Sequence, residues 1–144
     1  MNGTGNINFL LMISKTWDRE AAALTLRQKL LAEGLLSPER KRKAPLFPRA
    51  IGVITSAEGA AVQDIITGMQ RHNDLIPLIL YPATVQGSAA VEQILYALHC
   101  VIAENRCDIL IIARGGGASE TLAVFNDERL LRAVAVCPVP VISA

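Results

Sequence analysis

The chain has 144 residues, of which 51% are apolar and only 4% aromatic, and its formal net charge is +1. This length suits one domain with a buried core, and the aliphatic composition excludes a disordered chain and a disulfide scaffold. The sequence has no apolar run long enough for a transmembrane helix and no secretory signal at residues 1–11, so we expect a cytoplasmic protein without a membrane partner.

The first part of the chain predicts a helix and a basic connector. Apolar side chains at helical spacing predict a helix over residues 19–35, with Asp18 as its N-cap and Gly34 as its C-terminal stop. Residues 37–48 contain three prolines and the basic run Arg40–Lys43. This composition is typical of a solvated linker, and it also suits an anionic partner.

Charge is distributed unevenly along the chain. Residues 1–50 hold nine Lys and Arg against four Asp and Glu, whereas residues 51–144 hold five against nine. Together with the prolines, this asymmetry predicts two units. The first, at 1–49, is an N-terminal strand and helix with the basic connector. The second, at 50–144, is an α/β domain.

From residue 51 onward, short aliphatic runs alternate with stretches of helical period. Such runs are typical of strands buried on both faces, and helices between them join parallel strands. We therefore predict an α/β fold, a doubly wound, Rossmann-like parallel sheet of about four strands with a preceding N-terminal helix. The spatial order should be 2-1-3-4, because the crossover between the second and third strands must pass the first. The strands are expected at residues 51–55, 76–81, 109–113 and 139–143.

Ligands of an open parallel sheet bind beyond the carboxyl ends of the strands, so the loop after the first strand is a candidate site. Its sequence is TSAEGAAVQD. Thr55 or Ser56 can cap the following helix, and Thr55 with Glu58 fits the S/T-x-x-E capping box. Small residues surround Asp64 and leave its carboxylate open to a ligand. The alternative is an ordinary helical aspartate facing solvent.

The loop after the third strand reads ARGGGASE. Three glycines leave backbone N–H groups unshielded, and such groups can hold an anion, to which the Arg114 guanidinium adds two donors. A tight turn is the alternative. The stretch is neither a P-loop nor a dinucleotide fingerprint, since GK[ST] and GxGxxG are absent. The candidate phosphate-binding residues of the two loops are Thr55, Ser56, Gly115, Gly116 and Gly117.

The cysteines and histidines predict no metal site. The three cysteines have no CxxC spacing, and the two histidines are not spaced as ligands of one ion.

Four stretches in order resemble the large subunit of exodeoxyribonuclease VII: IGVITSAEGAAVQD, LYPATVQG, DILIIARGGGASETLAVFNDE and PVPVISA. The resemblance covers roughly residues 27–144. It implies a nuclease domain that hydrolyses phosphodiester bonds of single-stranded DNA from either end and releases oligonucleotides. It also implies partner small subunits, bound through a region that this sequence does not contain. The family's catalytic aspartate falls on Asp64 and its catalytic arginine on Arg114.

The sequence departs from the family pattern in two respects. The usual GGGS-x-EDLW-x-FN motif has Ala118, Thr121 and Ala123 in place of its Ser, Asp and Trp. The family's other catalytic groups belong to a GHxxD motif after VISA, and the sequence ends at Ala144. The resemblance therefore implies that the nuclease domain at 50–144 is truncated at its C-terminal side, and the 144 residues alone are expected to be inactive.

The sequence also leaves two questions open. Metal dependence is undetermined, with Mg²⁺ as the ion considered. The alternatives to a nuclease are a non-catalytic Rossmann-type module that binds phosphate or nucleic acid, and a structural fragment that forms a homodimer through an open sheet edge.

Overall fold

Four parallel strands form one sheet, which organises the rest of the chain. The computed structural model of the protein describes residues 28–34, 42–72, 75–113 and 124–143. The strands are β1 (Ile51–Thr55), β2 (Leu78–Pro82), β3 (Ile109–Ile112) and β4 (Val141–Ser143). Their order is β2-β1-β3-β4, and every neighbouring pair is parallel. The predicted fold class and strand order are therefore confirmed.

The second and fourth strands begin two residues later than the sequence predicted, and proline is the reason. Pro77 lies directly before β2, and Pro140 lies directly before β4. The carbonyl of each proline accepts a hydrogen bond from the neighbouring strand. Pro77 accepts from the Ile51 N–H at 3.0 Å, and Pro140 accepts from the Leu110 N–H at 2.9 Å. Neither proline has an N–H to donate, so regular pairing begins only after it.

Three helices cover both faces of the sheet: α1 (Ala60–His72), α2 (Ala90–Glu104) and α3 (Glu128–Val136). Successive side chains of β1 point to opposite faces. Ile51 and Val53 pack with Ile65 and Met69 of α1. Ile54 belongs to the larger core cluster, to which α2 and α3 contribute. The sheet is therefore doubly wound, as predicted.

The larger core cluster leaves no room for a side chain at Gly52. A Cβ atom on this residue would lie 2.9 Å from the Cys107 Sγ and 3.2 Å from the Leu110 Cδ1. Cys107 is itself buried, and burial raises the pKa of its thiol. Gly52 is thus required by the close approach of β1 to the residues around the start of β3.

The chain before the connector also packs against this core. Residues 28–32 are helical, and Gly34, with φ at +76°, ends the helix as predicted. Residues 19–27 of the predicted helix lie outside the described residues. Leu30 is buried in the larger core cluster, so this helix contacts the domain that follows. The division of the chain at residues 49 and 50 stays a prediction.

Charged side chains join the same helix to α3. Lys29 Nζ lies 2.9 Å from the Glu128 Oε1, and Arg132 Nη2 lies 2.6 Å from the Glu33 Oε2. Arg132 also pairs with Glu128 one turn earlier in α3, at 2.7 Å. Glu33 follows Lys29 by four residues, and its partner Arg132 follows Glu128 by four residues. The two helices therefore run in the same direction.

The amino end of the sheet is closed by an ion pair between Arg49 and Asp108. The Asp108 carboxylate accepts hydrogen bonds from the Arg49 backbone N–H (2.7 Å) and Nε (3.0 Å). A further Arg49 nitrogen donates to the Asn105 carbonyl at 3.3 Å. These bonds hold the residues that enter β1 and β3 against each other. They also hold the pKa of Asp108 below its usual value.

We predict that Gly52→Ala destabilises the protein by about 1–3 kcal/mol, because the added methyl group would displace Cys107 in a packed core. Chemical denaturation monitored by circular dichroism measures the change. Gly68→Ala is the matched control, since a Cβ there would meet nothing within 4 Å and Ala favours a helix over Gly. Equal stability of Gly52→Ala and wild type would contradict the proposed packing.

We also predict that the Arg49–Asp108 pair makes stability depend on pH. Because folding lowers the pKa of Asp108, its contribution is present above the unfolded value of about 4 and is lost as pH falls through the folded value. Asp108→Asn should therefore be less stable than wild type at pH 7, with the difference shrinking below about pH 4. Urea denaturation at several pH values tests this, with Glu58→Gln as a control, because Glu58 is exposed and makes no ion pair with a described residue. A difference that is the same at pH 7 and pH 3 would contradict it.

Candidate functional site

The carboxyl ends of β1 and β3 are joined through Thr55, the only buried polar residue in the described part of the chain. Its hydroxyl donates a hydrogen bond to the Ala113 carbonyl at 3.0 Å. The Ala113 N–H in turn donates to the Ile54 carbonyl, and the Ala83 N–H to the Thr55 carbonyl, both at 3.0 Å. The loops after β1, β2 and β3 therefore start at one edge of the sheet, where hydrogen bonds connect the ends of the three strands.

The predicted capping box at Thr55 and Glu58 is wrong. Helix α1 begins at Ala60, after a turn in which the Gly59 N–H donates to the Ser56 carbonyl at 3.2 Å. Thr55 is too far from the helix to cap it, and its hydroxyl proton is directed to Ala113 instead. The Ser56 hydroxyl has no hydrogen-bond partner among the described residues and is only partly buried. The assignment of both residues to phosphate binding stays a prediction.

Asp64 lies on the exposed side of α1. The helix buries Val62 and packs Ile65 and Met69 against the sheet, so Asp64 points away from it. Ala60 and Gly68 lie one turn before and one turn after Asp64, and a Cβ on Gly68 would meet open space. Within the described ranges, the Asp64 carboxylate makes no ion pair. The role of Asp64 in a catalytic site stays a prediction.

Arg114 and Gly115–Gly117 lie outside the described residues, so the predicted convergence of Asp64 and Arg114 is not tested. Both ends of the stretch are anchored, however. Ala113 is fixed by the bonds to β1, and Phe125 is buried at 1% exposure in the core. Because β1 and β3 are neighbours, the glycine-containing stretch leaves the sheet beside the loop that leads to α1.

The loop after β2 is ordered by the helix that follows it. The Thr84 N–H donates to the Gln93 side chain of α2 at 2.7 Å, and the Thr84 hydroxyl donates to the Gln86 carbonyl at 3.0 Å. Gly87 takes the left-handed conformation, with φ at +90°, which a residue with a side chain rarely adopts. This loop belongs to the LYPATVQG stretch of the resemblance.

Sequence reasoning missed the charged residues at the start of α3. Asp127 is its N-cap and accepts from the Arg129 N–H at 2.8 Å. Arg129 also contacts Glu92 of α2 at 2.6 Å. Burial alone would raise the pKa of Asp127, but the Arg129 guanidinium and the backbone N–H groups outweigh it and lower that pKa. An aspartate before an apolar helical run was the available signal for the cap.

Two further features bear on function. In the part of the chain that the structure describes, no three His, Cys, Asp or Glu side chains come together as a group that could hold a metal ion. In the same part, none of the helices is both long and apolar enough to cross a membrane.

A doubly wound parallel sheet of this kind is the architecture of the Rossmann-like class of α/β domains. The chain belongs to the exonuclease VII large subunit family, whose family model matches residues 35–144. It is 51% identical over 119 residues to the exodeoxyribonuclease 7 large subunit of Alcanivorax borkumensis. It is 50% identical over 119 residues to that of Tolumonas auensis. Each match covers 83% of this chain but 27% of the relative, so the chain spans about a quarter of their length.

We predict that Thr55→Val, which keeps the shape of the side chain but removes the hydroxyl, destabilises the protein by about 1–2 kcal/mol. The reason is that the Ala113 carbonyl loses its donor at a buried position. Thr84→Val is the matched control, because it removes a hydroxyl from a partly exposed loop. Denaturant titration gives both values, and Thr55→Ser should retain most of the stability. If the two valine variants were equally stable, Thr55 would not tie the loops together.

Proposed function

We propose that this chain forms part of the large subunit of an exonuclease that hydrolyses phosphodiester bonds of single-stranded DNA from either end, giving oligonucleotides. Membership of the family supports the reaction class. The observation that carries the proposal for this chain is the bond between Thr55 and Ala113, because it brings the two family motifs to one edge of the sheet. A non-catalytic binding module is not favoured, since the matched relatives are named as exodeoxyribonucleases.

We assign the catalytic roles to Asp64 and Arg114. An exposed carboxylate with no ion-pair partner among the described residues can orient the water that attacks the phosphorus atom. The planar guanidinium of Arg114 can bind two phosphate oxygens and stabilise the charge that develops on them. The N–H groups of Gly115–Gly117 would bind the same phosphate, together with Ser56 and Thr55. We assign no step to a metal ion.

The proposal extends to the partners and the compartment. The family name supports a complex with small subunits, which we expect to bind through residues that this sequence does not contain. We place the protein in the cytoplasm, in keeping with three free cysteines. A homodimer through a sheet edge is a separate prediction that analytical ultracentrifugation would test.

The reaction is tested on a chain extended through the GHxxD motif and combined with small subunits, with end-labelled single-stranded DNA as substrate. We expect cleavage by this complex and none by the 144 residues alone, since catalytic groups that act as a unit are not additive. Asp64→Asn should lower the rate at least about a hundredfold. Glu58→Gln is the control, as it neutralises an exposed carboxylate on the neighbouring turn.

Arg114→Lys separates a catalytic role from a structural one. Lysine keeps the charge but loses the planar pair of donors, so cleavage should fall about a hundredfold or more. Binding of the strand should change much less, because many other backbone contacts share the affinity. Cleavage near the wild-type rate would reduce Arg114 to a structural role, and robust cleavage by the 144 residues alone would refute the need for the GHxxD motif.

A further inference from the structure

The amino end of the sheet, opposite the candidate site, carries two apolar side chains that the described residues do not cover. Leu46 and Phe47 are 90% and 91% exposed. They lie between Pro45 and Pro48, which lack N–H donors and restrict the backbone. Nearly the whole phenyl ring is uncovered, so both of its faces are available for contact.

The segment that carries Phe47 is anchored at one end. Arg49, two residues later, is held by the Asp108 carboxylate and the Asn105 carbonyl. Phe47 is therefore presented from a fixed point at the entrance of β1. A large aromatic side chain that is exposed next to an anchored residue is available to stack on a flat partner.

Positive charge is concentrated at the same end of the sheet. The topology brings together the connector, the last turn of α1, and the turn between α2 and β3. The described residues of these segments include five cations against two carboxylates, Glu104 and Asp108. The cations are Arg42, Lys43, Arg49, Arg71 and Arg106.

Three of these cations remain available to a ligand. Lys43 and Arg71 are exposed and make no ion pair with a described residue, and Arg106 contacts Glu104 only at 4.0 Å. Arg49, by contrast, is occupied by Asp108. The same end of the sheet thus carries an uncovered aromatic ring and exposed cations, and proteins bind single strands by stacking bases on such rings and neutralising phosphates with such cations.

We propose that this amino-end surface, formed by Phe47, Lys43, Arg71 and Arg106, binds single-stranded DNA. A base stacks on the Phe47 ring, and the three cations contact phosphates of the same strand. The inference rests on the proposed function, since the strand bound here is the substrate of the site at the carboxyl end. The excess of cations favours a polyanion with flat apolar bases over an apolar protein segment.

The two surfaces are separated by the length of the strands. A five-residue strand is about 17 Å long, so only a DNA of several nucleotides can reach both ends of the sheet. In the complete enzyme, loss of Phe47 should therefore raise KM for long strands and leave kcat and the cleavage of very short strands unchanged.

The binding test uses the 144-residue chain and fluorescein-labelled dT20 in a fluorescence anisotropy titration at low salt. Phe47→Ala should weaken binding about tenfold, which corresponds to the loss of one stacked base, and Phe47→Trp should restore it. Tyr96→Ala is the matched control, because Tyr96 is a 70% exposed aromatic residue on α2 rather than on the connector. Lys43→Ala and Arg71→Ala should each reduce the slope of log affinity against log salt by about 0.7.

Several results would overturn the inference. These are equal affinities of Phe47→Ala and Tyr96→Ala, absence of dT20 binding by wild type, or equal binding of a poly-glutamate peptide, which would indicate an acidic protein partner. Failure of the proposed function has a different signature, namely normal cleavage by Asp64→Asn in the extended complex. Loss of the binding that depends on Phe47 leaves the rate at which short strands are cleaved unchanged. Failure of the inference and failure of the proposed function can therefore be told apart.

Discussion

The burial of β1 on both faces is the constraint on which the rest of the structure depends. All five of its residues are buried, between β2 on one side and β3 on the other. A strand in this position cannot tolerate polar groups without partners, so Thr55 directs its hydroxyl to Ala113. It also cannot tolerate excess volume, so Gly52 has no side chain where Cys107 approaches. Thr55, the only residue of the described chain that is both polar and buried, thus also joins the loops of the candidate site.

The two ends of the sheet differ in character because of this arrangement. At the carboxyl end, the ties between Thr55, Ala113 and Ala83 bring three loops together and leave Asp64 exposed on the helix above. At the amino end, the Arg49–Asp108 pair closes the sheet, while Phe47 and several cations remain on the surface. The candidate site proposed for the phosphate and the surface proposed for the strand therefore lie at opposite ends of the sheet.

The alternation of aliphatic runs and helical stretches was enough to predict the fold, because strands buried on both faces have few polar residues to obscure the pattern. The strand order followed from the connection between the second and third strands, which must pass the first strand. The starts of β2 and β4 were misplaced because the aliphatic pattern continues across Pro77 and Pro140, where pairing does not. The capping box failed for another reason. The partner of the Thr55 hydroxyl lies in a different strand, and no local pattern reveals a bond of that kind.

The position of α3 relative to the rest of the fold could not be predicted from sequence periodicity. Its apolar face predicts burial, but its placement depends on charges far away in the chain. Glu128 and Arg132 contact Lys29 and Glu33, and Arg129 contacts Glu92. Each of these exposed pairs contributes little to stability alone. The spacing of four residues that the Lys29–Glu128 and Glu33–Arg132 pairs share matches helices that run in the same direction, with Leu30 buried in the core. These pairs lie on the C-terminal side of the glycine-containing stretch, and the bond between Thr55 and Ala113 lies on its N-terminal side. The stretch that carries Arg114 is thus held on both sides by contacts that lie outside it.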